Sequence, residues 1–207
     1  MGSSTNEANL SLKDWVLEDC DRRPAARKHE IMADVIAALA ALHREGTCHG
    51  NLSLATIGLA QTPAVGVANR LPRPPGVHAR IAALPADGSD LPESDADLYR
   101  APDASNADPD PASADIFALG IIWYQLLLDR LERPPYDFAD VLRAAGHDSH
   151  TIGMIARCLA GPGRRFANAV ELEQEFAGAA PPQWPPVPKG CVDVSQIVRE
   201  YLTATSG

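Results

Sequence analysis

Between Ala114 and Leu128 almost every residue is apolar, and such a stretch predicts a helix buried on all its sides. It is too short for a membrane span, which needs ~20 apolar residues. Other stretches alternate between apolar and polar faces. Ile31, Val35, Ala38, Leu39 and Leu42 recur at helical spacing and predict a long helix over about 25–45, stopped by Gly46. A short helix over 11–19 opens at Ser11, with Asp14 in its first turns. Shorter helices are expected near 137–145, 149–160 and 167–178. Thr56–Ala60 and His78–Ala83 predict two short strands of a hairpin.

Prolines divide these elements. Pro63, Pro72, Pro74 and Pro75 make 61–77 a long insert within the hairpin. Residues 83–112 are rich in Pro, Asp and Ser and lack apolar periodicity, so they read as irregular. Pro181–Pro188, with Trp184 between prolines, predicts an extended strap. An amphipathic helix over Val194–Thr203 then places Val194, Ile197, Val198 and Tyr201 on one face. Residues 1–9 read as a leader outside the fold. The organisation is one helical domain over 10–178, with an addition over 179–207.

The chain of 207 residues is 45% apolar, enough for one substantial core. A net charge of −9 argues against nucleic acid and anionic membranes as partners. Cys20, Cys48, Cys158 and Cys191 show no metal-binding spacing. They read as structural thiols in a reducing, cytoplasmic compartment. The Ala, Pro and Arg richness fits a GC-rich bacterial source.

His49-Gly50-Asn51-Leu52 resembles the catalytic loop of eukaryotic-type Ser/Thr protein kinases. That loop reads His-Arg-Asp-Leu, with Lys two residues after the Asp and Asn three residues later. Tyr99-Arg100-Ala101-Pro102-Asp103 resembles the Ala-Pro-Glu signature that closes the activation segment. Ser113 to Ile122 resembles the start of the long buried helix beyond it. Cys158-Leu159, Pro162 to Arg165 and Ala169 to Leu172 match the last helices of the lobe. The order of these signatures is more specific than any one of them. The resemblance implies a mainly α fold: a protein-kinase-like C-lobe with a short β-hairpin beside a degenerate catalytic loop.

The chemistry that the resemblance would bring is missing. The family's base, its Lys and its magnesium-binding Asn fall on Asn51, Ser53 and Thr56. An amide accepts no proton near neutral pH. The magnesium-binding Asp-Phe-Gly falls on Ala83-Leu84-Pro85, and Ala83 offers no oxygen to a hard cation. There is no Gly-x-Gly-x-x-Gly, and only about nine residues precede Leu10, so no N-lobe is expected. Neither ATP nor any cofactor or metal is expected.

Other residues read as structural. His49 is expected to pack and fix backbone. The resemblance implies a buried Asp115 that accepts from backbone amides beside the loop, and an ion pair between Asp103 and Arg165. Asp87, Asp90, Glu93, Asp95 and Asp97 read as a solvated face, and Ser89, Ser94 and Ser105 as turn residues. Trp184, Ile197 and Tyr201 are candidates for partner docking. The leading expectation is a catalytically inactive pseudokinase lobe, a regulator or scaffold for signalling. It would hold a protein partner or a second copy through the surface a missing N-lobe uncovers. The alternatives are a divergent phosphotransferase using a separately supplied N-lobe, and a subunit kept for its fold alone.

Overall fold

The computed structural model describes residues 10–17, 25–62, 76–81, 97–105 and 110–178. Outside them lie Ala83, Trp184, Ile197 and Tyr201, the strap and last helix, most of the insert and of the acidic run, and Cys20 and Cys191.

The centre of the fold is α3, Pro111–Leu128, with Ile116 to Leu127 buried without a break. By length and composition it would pass as a membrane span, contrary to the expectation from length, but 72% of it is buried inside this fold. It starts three residues before the apolar run. Asp110 accepts from the Ala112 N–H at 3.1 Å, and Pro111 follows as a preset first residue. It ends at Asp129, which is left-handed at φ 53°. The buried Lys28 ammonium holds that end, reaching the Leu127 carbonyl at 2.9 Å and the Asp129 carboxylate at 2.5 Å.

Helix α2, Ala25–Arg44, follows α1, Leu12–Leu17. The α2 stripe Ile31, Val35, Leu39 is fully buried, and Met32 and Ile36 widen it. Helices α4, Phe138–Ala144, α5, Ser149–Cys158, and α6, Ala169–Gly178, complete the mainly helical fold. Helix α5 lies so close to α3 that a Cβ on Gly120 would meet the Cys158 Cβ at 2.8 Å.

The sheet has three antiparallel strands where two were expected. Strand β1, Leu10–Ser11, pairs with β2, Ile57–Thr62, which pairs in turn with β3, Gly76–Ile81. The ladder runs from Ile57 opposite Ile81 to Thr62 opposite Gly76, so both hairpin strands lie off their expected bounds and the insert narrows. Alternation sets the register, with Ile57, Leu59 and Ala79 buried. Thr56 belongs to the 3-10 turn before the strand, its N–H bonded back to the Ser53 carbonyl at 3.2 Å.

Candidate functional site

The expected loop residues come together between α2 and α3. Helix α2 stops at Gly46, which is left-handed at φ 73°. The chain then runs under the first turns of α3. Here Asp115, only 2% exposed, accepts from the His49 N–H at 2.7 Å and the Gly50 N–H at 2.8 Å. Fixed donors are what keep a buried carboxylate affordable. Gly50 sits at φ 72°, a conformation costly for any side chain. His49 is also buried, and its Nδ1 accepts from the Asn51 N–H at 3.3 Å.

Ser53 and Thr56 form a capping box around the 3-10 turn Leu54–Thr56. Thr56 Oγ1 accepts from the Ser53 N–H, while Ser53 Oγ accepts from the Thr56 N–H at 3.3 Å. Both hydroxyls are thereby turned into the loop's own backbone. Asn51 faces a cleft of about 200 Å³, lined also by Leu52, Tyr99, Arg100, Ala101 and Ala118. That is below the ~300 Å³ at which small-molecule sites begin, and suits one side chain better than a nucleotide. A second cleft of about 360 Å³ crosses the sheet, with Ser11, Thr56, Gly58 and Arg80 on its walls.

One functional-looking residue escaped the sequence reading. His43 Nε2 stands 3.2 Å from Asp115 Oδ2, and the Cys48 thiol completes a group within 4.8 Å. Its signal was present: buried Ile31, Val35 and Leu39 advance in steps of four to position 43. The trio invites a metal or a nucleophile, but its surroundings disfavour both. His43 Nδ1 accepts from the Ala169 N–H at 3.0 Å, so the ring proton sits on Nε2 and points at Asp115. A metal on Nε2 would force a proton onto Nδ1, against another donor. The Cys48 thiol is pushed up by burial and then by Asp115 and Asp110, which opposes a thiolate.

Beyond the loop, Arg165 grips both Asp103 oxygens, at 2.8 and 3.3 Å. It also donates to the Ala160 carbonyl at 3.0 Å and to the Ser113 carbonyl and hydroxyl. Its guanidinium lies 5.0 Å from the Phe117 ring centre. Buried Gln125 ties the cleft wall to the chain beyond α3, accepting from the Tyr99 hydroxyl at 3.0 Å and donating to the Glu132 carbonyl at 3.3 Å. The site is a loop beside a small cleft whose lining includes the carboxylate of Asp115, already engaged by the His49 and Gly50 amides. No family model and no curated protein matches this chain.

Proposed function

We propose that this chain is a non-catalytic, protein-kinase-like C-lobe that works by holding another polypeptide. One observation carries the reading: the loop from His49 to Thr56 is fixed as a scaffold while its chemistry is absent. Asp115 locks two backbone amides of the loop. The positions where the resembled family keeps a base and a metal ligand hold Asn51 and Thr56, and the Thr56 hydroxyl is consumed in the capping box. A cleft of about 200 Å³ beside Asn51 accepts one side chain of an extended partner. The partner is a separate protein or a second copy of this chain.

The test is a thermal-unfolding titration of the purified chain with ATP, with and without magnesium, to millimolar concentration. A ligand at 100 times its dissociation constant stabilises a fold by about 2.7 kcal/mol. The expected result is no shift in either condition. A magnesium-dependent rise in melting temperature would overturn the reading and make a divergent phosphotransferase the better one.

A further inference from the structure

The turn between α3 and α4 carries Tyr136 on its corner with the side chain fully exposed. The Phe138 N–H closes that turn on the Pro135 carbonyl at 3.1 Å. Pro134 and Pro135 restrict the backbone that leads into it. The segment before the turn is pinned. Gln125 donates to the Glu132 carbonyl at 3.3 Å. Arg133 donates to the Arg100 carbonyl at 3.3 Å, and its guanidinium lies 5.7 Å from the centre of the Phe117 ring. Beyond the turn, Phe138 packs against the core as α4 begins. An aromatic ring gains by covering apolar surface, yet this one is held where it covers none of its own chain.

The same contacts bring the turn beside the Asn51 cleft. Arg133 stands three residues before Tyr136, and Arg100, whose carbonyl it reaches, lines the cleft. The projecting ring and the cleft are therefore neighbours on one surface. We infer that two copies of this chain pair about a twofold axis, each placing Tyr136 in the Asn51 cleft of the other. The inference rests on the reading of that cleft as the holder of one polypeptide side chain, and it names the side chain.

The cleft suits a phenol. Its apolar walls are Leu52, Tyr99, Ala101, Ala104 and Ala118, and Asn51 adds an amide able to pair with a hydroxyl. Tyrosine anchors interfaces because it buries a large area with few rotatable bonds. An anchor already held in place loses little freedom on docking. Charge matches as well: exposed Asp137 follows Tyr136, and exposed Arg100 stands at the cleft. A twofold arrangement uses the ring and the cleft of both copies and closes, whereas a head-to-tail contact leaves one of each unfilled. Two anchors of about 150–250 Å² each make a small contact, which places the dimer among weak, concentration-dependent pairs.

Sedimentation velocity of the whole chain over about 1 µM to 1 mM tests the pairing. The expected result is a reversible monomer–dimer equilibrium. Tyr136→Ala removes a fully exposed side chain and should weaken the dimer at least about tenfold. Ala104→Trp fills the cleft from its wall and should do the same. Asn51→Trp blocks it from the loop, so a fold defect in either blocking variant does not decide the outcome. Mixing Tyr136→Ala with a folded blocking variant should restore part of the dimer, because one intact Tyr136 then meets one open cleft. A monomer at every concentration, a dimer unchanged by Tyr136→Ala, or a mixture no more dimeric than its components would each overturn the pairing. None of these measurements involves ATP. Their failure leaves the non-catalytic reading in place with a separate protein as partner, whereas a magnesium-dependent shift with ATP overturns that reading itself.

Discussion

Arg165 and Asp103 meet side by side, two guanidinium nitrogens on two carboxylate oxygens, at 2.8 and 3.3 Å. The Arg165 side chain is 2% exposed and that of Asp103 23%. This pair joins the turn before α3 to the loop before α6. Arg165→Met should cost about 3 kcal/mol, because Asp103 and the Ala160 and Ser113 carbonyls lose their donor together. Asp103→Asn keeps an acceptor and should cost about 1 kcal/mol. Urea unfolding of the two variants measures both. Equal losses would mean that the charge pairing, and not the buried fork, sets the cost.

The same pair sets an acid limit on stability. The hydrogen bond from Arg165 is the main cause holding the Asp103 carboxyl below its ordinary value of 3.8. The folded state therefore binds this proton less readily than the unfolded chain. The contribution is complete above about pH 4 and disappears as pH falls below that, through the lowered folded value. Stability measured from about pH 5 down to pH 2 should drop less steeply in Asp103→Asn than in the parent. Identical slopes would show that Asp103 titrates normally.

Much of the architecture was legible because burial patterns are local. The run Ala114–Leu128 announced the central helix, and the α2 stripe announced its partner. The true start of α3 was legible too, since Asp110-Pro111 is an N-cap followed by a favoured first residue. The apolar run drew attention away from it. Strand β1 was not legible, because two residues carry no alternation. The grip of Lys28 on the end of α3 joins residues about 100 positions apart, so spacing says nothing of it. In the site, the buried Asp115, the packed His49 and the pairing of Asp103 with Arg165 were expectations of the resemblance and not of periodicity or spacing. The polar residue that continues the α2 stripe, His43, was passed over because the stripe was read for apolar residues only.

The contact between α3 and α5 gives a sharp steric test. A Cβ on Gly120 would meet the Cys158 Cβ at 2.8 Å and the Leu159 side chain at 3.0 Å. Gly120→Ala should therefore destabilise by about 1–3 kcal/mol, despite the better helix propensity of alanine. Gly153, exposed on α5 with nothing within 4 Å of a Cβ, isolates propensity from sterics. Gly153→Ala should stabilise by about 0.5–1 kcal/mol. The two thermal midpoints should move in opposite directions. A rise in both would show that α3 and α5 can separate at little cost.

The two cysteines of the described region should differ in reactivity. Cys158 is fully buried, and burial pushes its thiol far up. Alkylation mapped by peptide mass should find Cys158 unmodified until the chain unfolds. Cys48 is exposed, yet burial and the carboxylates of Asp115 and Asp110 still raise its thiol. It should react more slowly than free cysteine near pH 8, since thiolate is the reacting form. Asp110→Asn should speed the Cys48 reaction by removing one of those charges. A Cys48 faster than free cysteine would instead reveal an activated thiol and reopen a nucleophilic role for the site.

Thr56 decides whether the loop is a scaffold or a damaged active site. Its hydroxyl accepts from the Ser53 N–H at 3.0 Å and donates to the Ser53 carbonyl, also at 3.0 Å. Ser53 is only 1% exposed, so water cannot replace these bonds. Thr56→Val keeps the shape and removes the hydroxyl, and should cost about 1–2 kcal/mol through the unsatisfied amide. Hydrogen exchange should rise at Ser53 and in the turn that follows while α3 stays protected. A large loss confined to the loop would mean that this position is committed to holding the backbone. A neutral Thr56→Val would mean that the hydroxyl is dispensable for the turn and free for chemistry in the sheet-side cleft that it also lines. The scaffold reading predicts the first result, because Ser53 and Thr56 each cap the other and leave no hydroxyl for a substrate.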